Sequence, residues 1–296
     1  MKTILVTGAN GQLGNSIRLF AGKYSGYNFL FTDVDTLDIT DPAAVRAMIK
    51  DNGVNYILNC AAYTAVDKAE DDEALCRRIN TFAVGVLGKA AHEAGAKMIH
   101  VSTDYVFSGT NCRPYVETDA TRPVSAYGRT KLAGEEILQE VCPDAVIIRT
   151  AWLYSEFGNN FVKTMLEQGK RRKELRVVCD QIGTPTYTAD LAKFLANLSM
   201  TKRYGIYHVT NEGEYVSWYD FAKEIFAQAV KLGEKEYADV KVIPVTTAEY
   251  GISKAARPFN SRLDRKRICE EGFQPLPVWK NALERYLQEV LAERKG

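Results

Sequence analysis

The chain has 296 residues, which is enough for one large or two modest domains with hydrophobic cores. Its 38 basic and 37 acidic residues nearly cancel, so the charge gives no reason to expect a nucleic-acid partner or an anionic membrane surface. The first apolar run is too short for a signal peptide, and no run approaches the roughly 18 apolar residues of a transmembrane helix. We therefore expect a cytoplasmic protein that binds neither nucleic acid nor membrane.

The six cysteines are scattered along the chain, without a C-x-x-C pair or the regular spacing of a metal site or disulfide framework. They are Cys60, Cys76, Cys112, Cys142, Cys179 and Cys269. We expect them to be reduced thiols that lie mostly in the interior.

Three glycines mark the junction between the first predicted strand and the first predicted helix. Residues 3–7 form a short apolar run that is typical of a buried parallel strand, and Gly8, Gly11 and Gly14 lead into a helix-like segment over residues 15–20. Glycine permits a tight turn and lets backbone N–H groups approach a pyrophosphate at the positive end of the helix. A glycine-rich turn without a ligand is the alternative, but the strand before it and the helix after it favour a dinucleotide site.

The second apolar run, residues 27–33, ends in Asp33, about 20 residues beyond the glycines. A carboxylate at this point can bind an adenosine ribose and repel a 2′-phosphate, which favours NADH over NADPH unless a nearby Arg or Lys overrides it. Asp38 follows in a loop, where it can reach an adenine edge or simply lie in solvent.

A helix is predicted over residues 43–50, with Thr40 or Asp41 as its N-cap and Pro42 at the first helical position. A buried strand over residues 55–60 comes next. The small residues after that strand suit the floor beneath a dinucleotide, because ligands of open α/β sheets bind at the carboxyl ends of strands.

A charged run over residues 66–72 opens a helix that is predicted to continue to His92. We expect most of those charges to form a solvated face. Asn80 lies within the apolar part of this helix, where its amide needs partners; a structural hydrogen bond and a role in a proton relay are both compatible with this position.

The fourth predicted strand and its exit cover residues 97–107. Ser102 and Thr103 place two hydroxyls at the carboxyl end of the sheet, and either one can donate to a substrate carbonyl. His100 lies inside the apolar run and is interpreted as a packed core residue rather than a base.

Tyr127 and Lys131 are four residues apart and share one face of a predicted helix. A cation near a phenol eases its ionisation, so the pair suits proton transfer to a carbonyl. The loop over residues 108–125 covers the approach to Tyr127. A Tyr four residues before a Lys is common in helices, and the pair gains weight only from the dinucleotide turn and the strand exit that precede it.

The later elements continue the alternation of strands and helices and then loosen it. We predict a strand over 145–154, a helix over 161–168, a strand over 175–180, a helix over 189–198, a strand over 205–209 and a helix over 278–291 with an apolar stripe typical of core packing. The pattern predicts an α/β fold, a doubly wound parallel (Rossmann-like) sheet with a smaller, interleaved C-terminal substrate-binding domain. The predicted dinucleotide-binding domain covers residues 1–154 and 184–212, and the substrate-binding domain covers 155–183 and 213–296.

Several motifs in this order resemble one group of enzymes. They are the glycine turn at 11–14, the segments 59–70, 102–107 and 127–135, and the shorter motifs at 149–152 and 158–161. In these motifs the chain is similar to the extended short-chain dehydrogenase/reductase superfamily and, more closely, to the family of dTDP-4-dehydrorhamnose reductases. The resemblance runs essentially from end to end.

This resemblance implies reduction of the 4-keto group of dTDP-4-dehydro-6-deoxy-L-mannose, a nucleotide sugar, to dTDP-L-rhamnose, with NADPH or NADH as cofactor. It implies that Tyr127 is the general acid, that Lys131 holds the nicotinamide ribose and lowers the pKa of Tyr127, and that Thr103 binds the developing oxyanion. The implied cofactor-binding residues are Gly8, Asn10, Gly11, Gln12, Leu13, Gly14, Asp33, Asp38, Ile39, Ala61, Ala62, Tyr63, Thr64, Tyr127 and Lys131.

The substrate residues implied by the resemblance are Thr103, Asp104, Tyr105, Trp152 and Arg257. Arg257 and the segment 260–264 are candidates for a diphosphate or thymine pocket, because the fork of arginine suits phosphate oxygens. The alternative is that Arg257 and Arg262 are surface or salt-bridging arginines.

One departure from the family concerns a metal ion. Some relatives dimerise through magnesium held by glutamates, one of them in the first helix after the glycine turn, whereas this chain has no glutamate there before Lys23. We therefore expect no metal site, and a monomer and a homodimer both remain open.

Two other functions also remain open. The first is a nucleotide-sugar epimerase or dehydratase of the same superfamily, although dehydratases place an acidic pair after the catalytic Thr and here Asp104 is followed by Tyr105. The second is a non-catalytic regulatory subunit of methionine adenosyltransferase, which resembles this reductase family. The presence of Thr103, Tyr127 and Lys131 favours an enzyme.

Overall fold

The structure is a computed structural model and describes residues 1–293; the last three residues of the predicted substrate-binding domain, 294–296, lie outside the described residues. The strands are β1 (Lys2–Thr7), β2 (Tyr27–Thr32), β3 (Val54–Asn59), β4 (Lys97–Thr103), β5 (Val146–Thr150), β6 (Leu153–Tyr154), β7 (Glu174–Val178), β8 (Ile182–Gly183), β9 (Thr186–Tyr187), β10 (Gly205–His208), β11 (Asn211–Glu212), β12 (Val216–Ser217), β13 (Lys241–Val245) and β14 (Leu276–Val278). The α-helices are α1 (Gln12–Ala21), α2 (Pro42–Asp51), α3 (Val66–Ala69), α4 (Glu73–Arg77), α5 (Ala83–Ala94), α6 (Ala126–Val141), α7 (Phe161–Arg171), α8 (Thr188–Ser199), α9 (Trp218–Lys231), α10 (Thr247–Tyr250), α11 (Lys266–Glu270) and α12 (Trp279–Glu293).

Six strands form one parallel sheet in the order β10-β5-β4-β3-β1-β2. The strand order reverses between β1 and β3, so the carboxyl ends of these two strands flank the crevice where an open α/β sheet binds its ligand. The doubly wound parallel sheet predicted from the sequence is confirmed.

Apolar clusters cover both faces of this sheet. Leu13 and Ile17 of α1 pack on one face together with α8, whereas Val45 of α2 and Leu87 of α5 pack on the other face. Such burial on both faces explains why these strands are nearly continuous apolar runs.

A separate apolar cluster joins α7, α9 and α12 away from the large sheet. Trp279, Leu283, Tyr286 and Leu287 of α12 are almost completely buried in it. The apolar stripe predicted on the last helix is therefore a packing surface.

The predicted continuous helix over residues 66–92 is wrong. The helix α3 stops at Ala69, and Asp72 caps the separate helix α4 by accepting a hydrogen bond of 3.0 Å from the Leu75 N–H. A π-helical turn, Arg78–Phe82, then leads into α5. The turn packs closely on α6, because a Cβ added to Gly134 would lie 2.1 Å from the Asn80 carbonyl oxygen.

The side chain of Asn80 forms two hydrogen bonds to the backbone of the segment after β3. Its Oδ1 accepts a hydrogen bond of 2.8 Å from the Tyr63 N–H, and its Nδ2 donates one of 3.1 Å to the Tyr63 carbonyl. Of the two roles considered for Asn80, the structural hydrogen bond is the one that these contacts show.

The charged run 66–72 does more than form a solvated face. Asp67 accepts hydrogen bonds from the backbone N–H groups of Lys254 and Ala255 at 3.1 and 3.0 Å, and Glu70 accepts one of 2.8 Å from the Ala126 N–H at the start of α6. Asp67 therefore attaches the segment after β3 to the C-terminal half of the chain, and Glu70 attaches it to the start of α6.

The strand predicted over residues 145–154 ends earlier than expected. The parallel strand β5 stops at Thr150, and Trp152 adopts a left-handed backbone conformation with φ of 51°. The chain thereby leaves the large sheet, and Leu153–Tyr154 pairs with β9 instead. Of the strand and exit predicted over residues 97–107, the strand ends at Thr103 and the exit begins as a short 3₁₀ helix.

Of the two predicted N-caps of α2, Thr40 and Asp41, Asp41 is the cap in the structure. Its Oδ1 accepts hydrogen bonds from the N–H groups of Ala43 and Ala44 at 2.8 and 3.2 Å. The helix α2 begins at Pro42, as predicted.

The six cysteines are free. Cys76 and Cys142 are buried, Cys60 and Cys179 are partly buried, and Cys112 and Cys269 are exposed. The prediction that they lie mostly in the interior is therefore wrong for Cys112 and Cys269.

Candidate active site

The glycine turn after β1 presents backbone rather than side chains to the carboxyl edge of the sheet. Gly8 has a φ of 65°, and a Cβ added to it would lie 2.6 Å from the Ala61 Cα. A Cβ on Gly14 would lie 2.5 Å from the Ala9 Cα, so α1 packs directly against the turn. Gly11 is the N-cap of α1 and has no side chain to cap it, which leaves the first N–H groups of the helix for an anionic ligand.

Asp33 ties the glycine turn to the end of β2. Its Oδ2 accepts a hydrogen bond of 2.8 Å from the Asn10 N–H, and its Oδ1 accepts one of 2.9 Å from the Val34 N–H. A carboxylate has about four lone-pair positions, so both oxygens can still accept from ribose hydroxyls.

Asp38 lies across from Asp33 and is more exposed. Its Oδ1 accepts from both the hydroxyl and the N–H of Thr40, at 2.7 and 2.8 Å, and these hydrogen bonds lower its pKa. The Arg78 guanidinium lies 4.0 Å from its other oxygen. Asp38 is therefore both a loop acid and part of the cleft wall.

A cleft of about 620 Å³ opens between these residues and the end of β3. Eight predicted cofactor residues line it: Gly8, Asn10, Gly11, Asp33, Asp38, Ile39, Ala61 and Ala62. The other seven are outside its lining: Gln12, Leu13, Gly14, Tyr63, Thr64, Tyr127 and Lys131. Leu75 and Arg78 line the cleft and were not predicted, because they come from the part of the helix 66–92 whose break the sequence did not indicate.

Tyr127 and Thr103 meet where α6 and β4 converge. Ser125 caps α6 by accepting from the Gly128 N–H at 3.1 Å, which directs the first turn of the helix toward the sheet. The Thr103 hydroxyl lies close enough to the Tyr127 phenol to favour its ionised form. Burial raises the pKa of Tyr127 well above its ordinary value, and the Thr103 hydroxyl offsets only part of that effect. Tyr127 is therefore a protonated donor at neutral pH, rather than a phenol acidified by a cation.

Lys131 is fully buried one turn further along α6. Its Nζ donates a hydrogen bond of 2.7 Å to the Val101 carbonyl and lies 3.2 Å from Nε2 of His100. Burial lowers the pKa of Lys131 to about 8, against the opposing pull of Glu135. His100 is completely buried, as predicted for a core residue, but it also contacts Lys131.

Asp104 follows Thr103 and is 3% exposed. Its Oδ1 accepts a hydrogen bond of 2.9 Å from the Thr103 hydroxyl, whereas its Oδ2 has no hydrogen-bond partner among the described residues. Burial raises the pKa of Asp104 to about 6, although the hydroxyls of Ser261 and Thr103 favour the charged form. A buried polar atom without a partner is well suited to a ligand hydroxyl.

Two aromatic pairs involve predicted substrate residues. The rings of Tyr105 and Tyr127 pack edge to face at 5.4 Å, and Trp152 stacks on Trp218 at 3.6 Å. Gly183 lies against the indole, because a Cβ there would approach the Trp152 ring to 2.8 Å. The sequence predictions included Trp152 but not Trp218, although the Ser217 and Asp220 capping box before an apolar stripe could have revealed α9.

Arg257 joins the two halves of the site. Its guanidinium donates to Asp67 at 2.8 Å and to the Tyr105 hydroxyl at 3.1 Å, while its Nε donates to Ser253 at 2.8 Å. It also lines a second cleft of about 370 Å³ together with Trp218. Arg257 is therefore both ion-paired and available at a cleft.

Arg262, in contrast, has a structural role rather than a position at a cleft. Its Nε donates to Oδ1 of Asn260 at 2.8 Å, and its guanidinium donates to the Cys112 carbonyl at 2.8 Å. It holds the loop over residues 108–125 against the C-terminal segment.

Ser102 does not reach the site, unlike Thr103. Its hydroxyl donates to Glu135, and Glu135 forms a buried ion pair of 2.6 Å with Arg149. This network supports α6 from behind, so of the two hydroxyls at the end of β4 only that of Thr103 lies beside Tyr127.

Within residues 1–293, no group of three or more His, Cys, Asp or Glu side chains is arranged to hold a metal ion. In the same part of the chain, each helix is too short or too polar to cross a membrane.

Comparison with known proteins gives a consistent result. The model of the family described as "RmlD substrate binding domain" matches residues 1–292. A dTDP-4-dehydrorhamnose reductase of Aggregatibacter actinomycetemcomitans is 43% identical over 291 residues, which cover 96% of this chain and 97% of that protein.

Two solved structures are also close. A dTDP-4-dehydrorhamnose reductase from Clostridium acetobutylicum is 43% identical with a TM-score of 0.91 and covers 98% of this chain and 99% of its own. One from Bacillus anthracis, in complex with NADP, is 41% identical with a TM-score of 0.90 and covers 98% of this chain and 100% of its own. The chain therefore belongs to the RmlD substrate binding domain family, as its resemblance to the dTDP-4-dehydrorhamnose reductases predicted.

Proposed function

We propose that the protein reduces the 4-keto group of dTDP-4-dehydrorhamnose with NADPH or NADH and forms dTDP-L-rhamnose. The observation that carries this proposal is the proximity of the Tyr127 phenol and the Thr103 hydroxyl at the carboxyl edge of the sheet, on the same edge as the glycine turn. The names of full-length relatives at about 40% identity support the choice of sugar.

The residues of the first cleft fit a dinucleotide. Gly8 leaves no room for a Cβ, and the N-terminus of α1 offers N–H groups to a pyrophosphate. Asp33 accepts hydrogen bonds from the hydroxyls of the adenosine ribose, which favours NADH. Arg78 adds a positive charge to the same cleft, so that NADPH also binds. The bound cofactor supplies the hydride that is delivered to C4 of the sugar.

The residues of the chain supply the proton and the electrostatic stabilisation. As negative charge develops on the C4 oxygen, the Thr103 hydroxyl turns its proton from Oδ1 of Asp104 to that oxygen, and Tyr127 transfers its phenolic proton to the same oxygen. The ketone thereby becomes an alcohol, and the Tyr127 phenolate is reprotonated from solvent. Lys131 holds the nicotinamide ribose and stabilises the phenolate.

The sugar and its nucleotide occupy the other side of the site. Oδ2 of Asp104, which has no partner within residues 1–293, accepts a hydrogen bond from a sugar hydroxyl. Tyr105 and Trp152 line the space for the sugar ring. Arg257, at the second cleft, exchanges part of its ion pair with Asp67 for the diphosphate of the substrate.

The division into two domains remains part of this proposal. The separate apolar cluster of α7, α9 and α12 supports a substrate-binding part over residues 155–183 and 213–296, with residues 1–154 and 184–212 as the dinucleotide-binding part. The six free cysteines suit the reducing cytosol as the site of action. A monomer and a homodimer are both compatible with this proposal.

The test is an assay of the purified protein with dTDP-4-dehydrorhamnose, generated in situ, and with either NADPH or NADH. We expect cofactor oxidation together with the appearance of dTDP-L-rhamnose in the separated products. A product with an inverted rather than reduced centre would favour an epimerase. Tight cofactor binding without any turnover would favour a regulatory subunit.

A further inference from the structure

His100 links two functional parts of the molecule inside the sheet. It lies on β4, has no exposed surface, and its ring nitrogens face two different side chains. Nδ1 lies 3.0 Å from the amide nitrogen of Asn59, at the end of β3, and Nε2 lies 3.2 Å from Nζ of Lys131. The reaction described above gives His100 no role.

The orientation of the Asn59 amide is determined by the backbone. Its Oδ1 lies 3.2 Å from the Ala61 N–H and 2.8 Å from the Thr7 hydroxyl. A backbone N–H can only donate, so the group that faces Ala61 has to be the amide oxygen. The amide NH₂ is therefore the group that faces His100.

The tautomer of His100 follows from this orientation. Burial lowers the pKa of His100 well below its ordinary value, so the ring is neutral and carries one proton. Nδ1 has to accept from the Asn59 amide, and the proton is consequently on Nε2. This Nε2–H points at Lys131, whose Nζ can accept a hydrogen bond only as a neutral amine, because an ammonium has no lone pair.

We propose that His100 is a positioning residue for Lys131: the chain Ala61–Asn59–His100 presents an N–H to the Lys131 amine and thereby disfavours its ammonium form. The inference rests on the proposed function, in which Lys131 serves Tyr127 and the cofactor ribose. One N–H of Lys131 is held by the Val101 carbonyl at 2.7 Å, and the amine keeps a second N–H for a ribose hydroxyl.

The other groups around Lys131 have opposing effects on its pKa. Glu135 on its own helix, Cys76 on α4 and Cys60 after β3 favour the ammonium form, whereas burial opposes it. His100 adds to the opposing side, so the charge of Lys131 depends on the pH of the solution. The ammonium form, which stabilises the phenolate, is present at low pH and is lost as the pH rises through about 8.

The first test is ¹⁵N NMR of the histidine rings in the wild-type protein. The chain has only three histidines, and His100→Gln identifies the signal of interest by removing it. We expect the shifts of an Nε2–H tautomer that does not titrate between about pH 5 and 9. An Nδ1–H tautomer would overturn the inference, and this result does not depend on whether the protein turns over any substrate.

The second test is the pH dependence of kcat/KM in the same variant. The glutamine amide can turn its oxygen toward Lys131 and accept from the ammonium, so we expect the alkaline limb to move upward by about one pH unit. His92→Gln, on the exposed end of α5, is the matched control and leaves the limb in place. A lower kcat/KM at every pH, with the limb unmoved, would mean that His100 only fills space.

Discussion

The carboxylate of Asp104 accepts a hydrogen bond of 2.9 Å from the hydroxyl of Thr103, the residue that also contacts the Tyr127 phenol. Asp104 therefore orients Thr103, while its own Oδ2 has no hydrogen-bond partner within residues 1–293. This arrangement keeps a buried negative charge next to the position of the reacting carbonyl. Such a charge is costly for the fold, and its cost can be measured.

We predict that Asp104→Asn stabilises the ligand-free protein and lowers its activity. The pKa of Asp104 is raised to about 6 in the folded state, above the ordinary value of 3.8, so its contribution to stability is lost as the pH rises through 6. The asparagine variant cannot ionise. Its advantage, on the order of 1–3 kcal/mol, should grow between about pH 4 and 6 and then level off.

Chemical denaturation of both proteins at pH 4.5 and pH 8 measures this difference, and the exposed Asp35→Asn variant is the control. An advantage that is the same at both pH values would show that the carboxylate does not titrate as described.

Tyr127→Phe should retain the cofactor and lose turnover. The ring remains packed against Tyr105, so the site keeps its shape, but the proton donor is gone. A general acid contributes about 10²- to 10⁴-fold, and kcat should fall by that factor. Steady-state kinetics and NADPH fluorescence titration check the two halves of this prediction, and near-normal turnover would remove Tyr127 from the mechanism.

Gly8→Ala should abolish dinucleotide binding. The added Cβ would lie 2.6 Å from the backbone of Ala61 at a φ of 65°, so the turn has to move. Gly53→Ala is a matched control, because its φ of 55° is equally unfavourable but nothing lies within 4 Å of the added Cβ. We expect the control to lose only about 1–2 kcal/mol of stability and to bind the cofactor normally. Isothermal titration with NADPH decides the matter, and equal affinity in both variants would contradict this assignment of the turn.

Asp33→Asn should shift cofactor preference toward NADPH. The asparagine oxygen can still accept one of the two backbone hydrogen bonds that Asp33 receives, while the charge that repels a 2′-phosphate is removed. Loss of one like charge near the surface corresponds to about 1 kcal/mol, or several-fold in the ratio of kcat/KM for NADPH to that for NADH. An unchanged ratio would exclude Asp33 from cofactor selection.

The elements of the large sheet were predictable because each obeys a local rule. Residues 3–7 and 55–60 are mostly apolar without alternation, since both faces of a parallel sheet are covered. Pro42 marks the start of α2. The glycine turn could be assigned from its spacing together with the strand before it and the helix after it, and the structure leaves Gly8 and Gly14 no room for a side chain.

The errors occur where tertiary contacts override local pattern. The π turn at residues 78–82 packs its Asn80 carbonyl against Gly134 of α6, a contact that no local pattern indicates. The early end of β5 depends on the left-handed Trp152, whose indole is held by Trp218 from a distant segment. The contact between His100 and Lys131 is likewise a relation between a strand and a helix that lie 31 residues apart.

The proposed reaction is tested most directly by following the hydride. The protein is given dTDP-4-dehydrorhamnose and cofactor carrying deuterium at the transferable C4 position of the nicotinamide, and the sugar product is examined by NMR and mass spectrometry. We predict one deuterium at C4 of dTDP-L-rhamnose, with Tyr127→Phe giving the same labelled product at a much lower rate. A sugar that is converted without deuterium at C4, or that is not reduced while the cofactor binds, would contradict the assignment of this protein as a 4-ketoreductase.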